Sequence, residues 1–174
     1  VILGNEAPYV NAGPDLTAQQ DVALRIAGEV QDDGLPLYAA ISSTWSKVSG
    51  PGTVTFTPAN KAATSVQFSV AGSYVLRLMA SDSRLSASDD VTVTVNPPRP
   101  QILSVTSASG VPGQQLTVTL KTKFTNFVNG TSEANFGAGI SVNSGTAGGY
   151  GKLTVVDATT ATAILQIASG AALG

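Results

Sequence analysis

Cysteine and histidine are both missing from this sequence, and the two absences remove much of the chemistry that 174 residues can host. Without cysteine there is no disulfide, so any core is held by packed Val, Ile, Leu and aromatic side chains alone. Without histidine there is no Ser-His-Asp or Cys-His arrangement, and the usual zinc and haem ligands are gone. Charge is scarce too, at 11% of residues against the roughly 25% of an ordinary soluble protein. The nine Lys and Arg are scattered singly at a net charge of −2, which leaves no electrostatic footprint for nucleic acid. No apolar run approaches the roughly 20 residues of a membrane span. No glycine-rich segment follows a strand and opens a helix, so phosphate-binding loops are absent. The eleven carboxylates gather in turns rather than as the separated pair a glycosidase needs, and catalysis is not expected.

Ser, Thr, Gly, Ala and Asn take the place of charge, a balance that suits a secreted or surface protein of a bacterium. The chain begins at Val1 without a basic leader and stops at Ala171-Ala172-Leu173-Gly174, and it is read as a piece of something longer. Its most regular stretch is Ser73 to Val95. Tyr74, Leu76, Leu78 and Ala80 share one face, and Val91, Val93 and Val95 repeat the two-residue period, so two strands each have a side to bury. The segment between them, SDSRLSASDD, has the Ser, Asp and Arg of a solvated connection, with Asp89-Asp90 as an exposed strand start.

Before this hairpin, Asn5 to Val10 is an extended entry and Ala12-Gly13-Pro14-Asp15 a turn. Val22, Leu24 and Ile26 mark a strand, Gln31 to Pro36 an acidic loop, and Ile41 to Val48 a strand carrying the sole tryptophan, Trp45, as a core residue. Gly50-Pro51-Gly52 ends it, and Val54, Phe56, then Val66, Phe68 and Val70 mark two more. About seven short strands with turn signals roughly every 8 to 12 residues predict an all-β, immunoglobulin-like antiparallel sandwich. Tyr74 stands where such sandwiches place a tyrosine corner, with Ile26, Trp45 and Leu76 as core partners.

These motifs in combination, Asn5-x-x-Pro8, Ala12-Gly13-Pro14-Asp15, Asp32-Asp33-Gly34-Leu35-Pro36, Thr44 to Gly52, and Tyr74 through Asp82 to Pro97, resemble a bacterial PKD-like domain over residues 5–97. The resemblance implies a sandwich used as a spacer, adhesion or assembly module in large extracellular proteins. The Trp-x-Phe-Gly-Asp-Gly signature of many such domains is absent. In members that bind calcium, an Asn before the first strand, an Asp pair before a Gly and an Asp at the last hairpin tip meet at one end of the sandwich. Asn5, Asp32, Asp33 and Asp82 occupy those positions, with Gln31 where another acid is frequent. Ca²⁺ takes roughly six to eight oxygens, and these four are its candidate ligands; capping of turns by the same side chains is the competing reading.

Pro97, Pro98 and Pro100 form a stiff boundary, dividing a first domain at 1–97 from a linker at 98–100 and a second domain at 101–174. Ile102, Leu103 and Val105 open a strand. Leu116, Val118 and Leu120 alternate cleanly, and further strands fall at Ile140 to Val142, Leu153 to Val156 and Thr162 to Ile167. With Ser104-Val105, Ser109-Gly110 and Gly113-Gln114 followed by Phe124-x-Asn126-Phe127, this half resembles bacterial surface domains of the IPT/TIG type. At about 75 residues against a usual 100 or so, it is expected to lack its last strand. The open edge would accept a strand from another chain, with Val1-Ile2-Leu3 as donor, so that copies assemble head to tail. Early termination, or a fold that closes with six strands, is the plainer alternative. Asn129-Gly130-Thr131 fits a glycosylation sequon but reads as a turn, and Tyr9, Tyr38 and Tyr150 are expected at the surface without a shared face.

The expected function is a non-catalytic, extracellular or cell-surface structural module. Its partners would be copies of itself, neighbouring domains of the same polypeptide, or a polysaccharide or protein ligand. The alternative is an accessory binding module of a larger hydrolase or adhesin.

Overall fold

The computed structural model describes residues 4–107 and 109–172, and all regular structure in them is β-strand. The chain divides into two compact units, Val1–Pro98 and Arg99–Gly174.

In the first unit the strands are β1 (Tyr9–Asn11), β2 (Leu16–Gln19), β3 (Leu24–Ala27), β4 (Glu29–Gln31), β5 (Ser42–Ser49), β6 (Val54–Thr57), β7 (Ala63–Phe68), β8 (Gly72–Ser81) and β9 (Ser86–Asn96). One sheet has the order β2-β9-β8-β5 and a second the order β3-β7-β6, while β1 and β4 form a two-stranded ribbon. The β8–β9 hairpin pairs Gly72 with Val95 at one end and Ser81 with Ser86 at the other. Its inward residues Tyr74, Leu76, Leu78, Val91 and Val93 are almost wholly buried, and they pack with Ile26, Trp45, Val66 and Phe68 in one core. Trp45 is a core residue whose indole N–H donates to the Ala62 carbonyl at 2.9 Å.

The tyrosine corner forms as the sequence indicates. Tyr74 Oη donates to the Val70 carbonyl at 2.7 Å, and its ring lies 4.8 Å from that of Phe68. Gly50, at φ +133°, makes room for that ring, since a Cβ there would stand 2.3 Å from Tyr74 Cδ1.

Three details differ from the sequence reading. Ser86 to Asp90 belong to β9 rather than to a connection, and only residues 82–85 turn. Polar Ser86, Ser88 and Asp90 line the solvent face of that strand, so its outer composition imitates a loop. The strand expected from Val22 begins at Leu24, because Val22 N–H donates to the Gln19 carbonyl in a turn that leaves Val22 exposed. The sheets are not wholly antiparallel: β2 runs parallel to β9, from Leu16 opposite Val93 to Gln19 opposite Asn96. The chain leaves the β1–β4 ribbon through the turn at Gly13, φ +89°, and crosses to the outer edge of β9. The crossing is fastened by Ala12 N–H on Asp89 Oδ2 at 2.8 Å and Thr92 N–H on Asp15 Oδ1 at 2.9 Å.

The second unit comprises β10 (Gln101–Thr106), β11 (Gln115–Lys123), β12 (Glu133–Ala134), β13 (Ile140–Val142), β14 (Gly151–Lys152), β15 (Thr154–Asp157) and β16 (Thr160–Ile167). The main sheet runs β10-β11-β16-β13, with β15 also on β16, and β12 pairs only with β14. Alternate residues Val118, Leu120, Ala161, Ala163 and Leu165 form the core with Val142 and Leu153. The last described strand, β16, is flanked on both sides. Among the described residues of the second unit the longest edge strand is instead β10, where Ile102 and Leu103 are 66% and 61% exposed and the ladder shifts register between Ile102 and Ser104. The donor candidate Val1-Ile2-Leu3 and the chain end at Leu173-Gly174 lie outside the described residues.

Because Trp45 sits in the first core, its fluorescence reports that unit selectively. Tyr74→Phe should lower the denaturant midpoint by an amount equal to about 1 kcal/mol with an unchanged slope, the net worth of one buried hydrogen bond. Gly50→Ala should cost more, since it forces a methyl into the Tyr74 ring at a backbone angle that disfavours alanine. An equal or reversed order would refute the corner as the feature that Gly50 protects.

Candidate cation site

Asp82 is the turn residue on which the hairpin tip closes. Its carboxylate Oδ1 accepts the backbone N–H groups of Arg84 and Leu85, both at 2.7 Å, and Oδ2 accepts Asn5 Nδ2–H at 2.8 Å. This arrangement lets Ser83 adopt φ +83°. Asp82 is fully buried, and its N–H donors, Leu85 first, hold its pKa below the ordinary carboxylate value despite that burial.

Asn5 is thereby tied to the hairpin tip, and its neighbour Glu6 to the acidic loop, through Glu6 N–H on Asp33 Oδ2 at 3.0 Å. Asp33 Oδ1 accepts Leu35 N–H at 2.8 Å and Asp32 Oδ2 accepts Gly34 N–H at 3.0 Å, so both aspartates shape their own turn. The four candidate ligands therefore fall on three segments joined by hydrogen bonds. Asn5 and Asp82 touch directly, and Asp32 and Asp33 attach to the same end through Glu6.

The chemistry of this end suits a hard cation in part. Asn5 Oδ1 and Asp32 Oδ1 are buried and have no hydrogen-bond partner among the described residues, the kind of oxygen that a cation satisfies. Asp33 and Asp82, by contrast, already accept N–H groups on both oxygens. Among the described residues no three Asp, Glu, His or Cys side chains converge on one point. The fit therefore rests on Asn5 and Asp32.

Several functional polar residues escape a reading of the sequence alone. Asp89-Asp90 is not a solvated strand start: Asp89 fastens Ala12, and Asp90 receives Arg77 Nε–H at 2.7 Å and an Nη2–H at 2.8 Å across the β8–β9 ladder. The period offered a signal for Asp89, which shares the inward parity of Ala87 and Val91 and so needed a partner. Tyr9, Tyr38 and Tyr150 are exposed as expected.

Residues 12–95 match the family model described as K319L-like, PKD domain. By that match, residues 12–95 are PKD-like. Similar solved structures include the PKD domain of human KIAA0319, at 20% identity and TM-score 0.44 over 55% of this chain and 86% of that one. The PKD domain from KIAA 1837 protein aligns at 24% identity and TM-score 0.40, over 55% and 92%. The D00-D0 domain of Intimin aligns at 16% identity and TM-score 0.39, over 93% of this chain and 86% of that one. The family match stops short of the second unit.

The lowered pKa of Asp82 fixes a sign. Its contribution to stability is complete above the unfolded carboxylate value near pH 4 and is lost as pH falls from there through the lower folded value. Asp82→Asn should lower the unfolding midpoint at pH 7 and flatten its decline below about pH 4, as followed by Trp45 fluorescence. Parallel curves for the two proteins would contradict this role.

Proposed function

We propose that this chain is a non-catalytic structural or adhesion module of an extracellular or cell-surface bacterial protein, in which a PKD-like domain is followed by a second β-unit of IPT/TIG type. The observation that carries this reading is the use made of the polar side chains. Asp15, Asp82 and Asp89 fasten backbone and Asp90 pairs with Arg77, so these four carboxylates hold the scaffold together. A scaffold of this kind acts through its surface and edges. Its partners are neighbouring domains of the same polypeptide or other copies of the chain, and the unpaired edge of β10 supports assembly of copies into a filament by strand addition.

Calcium belongs to this proposal as a stiffening ion. Asn5 and Asp32 would contribute the orphaned oxygens, with Asp33 and Asp82 beside them. Such an ion would cross-link the entry segment, the acidic loop and the hairpin tip.

A second reading, an accessory module that holds a larger secreted protein on a polysaccharide, has one observation in its favour. Gln115, Ser141, Asn143, Ser144, Ile164 and Gln166 line a cleft of about 230 Å³ on the second unit, uncharged and rich in amide and hydroxyl groups suited to a neutral sugar.

Calorimetric titration of the chelator-treated chain with Ca²⁺ should show saturable binding that Asn5→Ala and Asp32→Ala each weaken by tenfold or more, about 1.4 kcal/mol. Absence of heat in the wild type would remove calcium from the proposal. Light scattering over a wide concentration range tests assembly, and an array of neutral and acidic oligosaccharides tests the second reading. A chain that is monomeric throughout and retains one sugar class would replace the structural reading with the binding one.

A further inference from the structure

Asparagine is chemically labile where the backbone nitrogen of the next residue reaches its side-chain carbonyl carbon, so both the following residue and the surrounding bonds matter. Of the eight asparagines, Asn129 alone precedes glycine, which puts no side chain in the way of that attack. Asn143 precedes Ser144, a small and polar neighbour. The two stand in opposite surroundings. Val128 to Ser132 forms the turn that the sequon Asn129-Gly130-Thr131 indicates: the Val128 carbonyl accepts Thr131 N–H at 3.2 Å and Ser132 N–H at 3.0 Å, and Ser132 Oγ accepts Val128 N–H at 2.9 Å. These bonds hold the two ends of the turn and pass over its middle. Asn129 and Gly130 are exposed, and neither the Asn129 amide group nor the Gly130 N–H has a hydrogen-bond partner among the described residues. Gly130, at φ +77°, has nothing within 4 Å of where a Cβ would stand, so the turn is open to solvent. Asn143 is the reverse case. Its Nδ2–H donates to the Lys152 carbonyl at 2.7 Å and its Oδ1 accepts Ile164 N–H at 2.7 Å, fastening the end of β13 to β14 and β16. Asp33, which also precedes a glycine, has both oxygens engaged, and Gly34 N–H is taken by Asp32 Oδ2 at 3.0 Å.

We infer that Asn129 is a site of spontaneous covalent modification, at which the folded chain converts asparagine to isoaspartate and aspartate. The Gly130 nitrogen gives up its proton to base and forms a bond to Asn129 Cγ. The Cγ–Nδ2 bond breaks and ammonia leaves, so a succinimide ring spans the two residues. Water then opens the ring. Cleavage between the ring nitrogen and the Asn129 backbone carbonyl carbon leaves isoaspartate, with the chain rerouted through Cγ, and cleavage at Cγ leaves aspartate. One water is consumed and one ammonia released, with no oxidant or cofactor. Each event adds one negative charge to a chain of net charge −2 and removes the amide that the sequon would offer to a glycan. Isoaspartate also adds a methylene to the backbone just ahead of β12, where Glu133 stands opposite Lys152 of β14 and pairs with its ammonium. The modification needs neither the structural-module reading nor the binding one.

The test keeps the full 174-residue chain folded in mildly alkaline buffer near physiological temperature and follows ammonia loss by mass spectrometry. Trypsin releases residues 124–152 as one peptide, which carries Asn126, Asn129, Asn135 and Asn143 and compares them in a single spectrum. Asn129 should react at least about tenfold faster than Asn143, whose bonds must open first, and the gap should narrow in denaturant. An isoaspartyl methyltransferase should transfer a methyl group from S-adenosylmethionine to the aged chain, and Asn129→Gln should lose that label. Equal rates at Asn129 and Asn143 in the folded chain overturn the assignment, because the structure then protects neither. An Asn129 that reacts only once the chain is unfolded overturns it as well, and a label that persists in Asn129→Gln moves the reactive residue elsewhere.

Discussion

The pairing of β8 with β9 sets the inward parity of Tyr74, Leu76 and Leu78 against Val91 and Val93, and the rest of the first unit takes its position from that ladder. β5 adds to the free side of β8 and places Trp45 opposite Leu78, while β2 adds to the free side of β9. The second sheet then covers the apolar face with Ile26, Val66 and Phe68. A shift of one residue in the ladder would turn every one of these side chains to solvent, so the register is enforced by the whole core. The closing turn at Asp82 follows from the same ladder, and Asn5 is held where it is because that turn exists.

Much of this was legible in the sequence because a two-residue apolar period survives any context. Tyr74, Leu76, Leu78, Val91, Val93, Val118 and Leu120 each announced a buried face. Short elements were not legible. β1, β2 and β4 have three or four residues each, too few for a period, and β2 is fastened to its sheet by Asp15 on Thr92 and Asp89 on Ala12, partners far apart in the chain. Ser86 to Asp90 looked like loop because a strand whose outer face meets water carries loop-like residues. Ile102 opens the expected strand, yet its side chain is largely exposed, for a different reason. Alternation reports which side a residue points to, but its burial requires something on that side, and among the described residues of the second unit only the β12–β14 ribbon and loops lie outside the main sheet.

The candidate site was legible as four positions and illegible as chemistry. The resemblance to PKD-like domains pointed to Asn5, Asp32, Asp33 and Asp82 at one end, but the partner of each oxygen is a property of the folded backbone. Asp82 proves to be a hairpin latch, and Asp33 holds its own loop and the entry segment, which leaves Asn5 and Asp32 with oxygens unengaged. The aspartates thus serve local geometry first, and the oxygens of Asn5 and Asp32 are what the proposed cation would engage.

The parallel seam between β2 and β9 has a mechanical consequence. β2 is reached from the amino-terminal side of the unit and β9 leads out of it on the carboxyl-terminal side, so tension along the polypeptide pulls the two strands lengthwise past each other. Their hydrogen bonds then bear load together, as rivets in a lap joint do, instead of opening one after another as in a peeled hairpin. A domain with this seam yields late and abruptly under stretching, which suits a link in a tethered chain better than a freely diffusing protein needs.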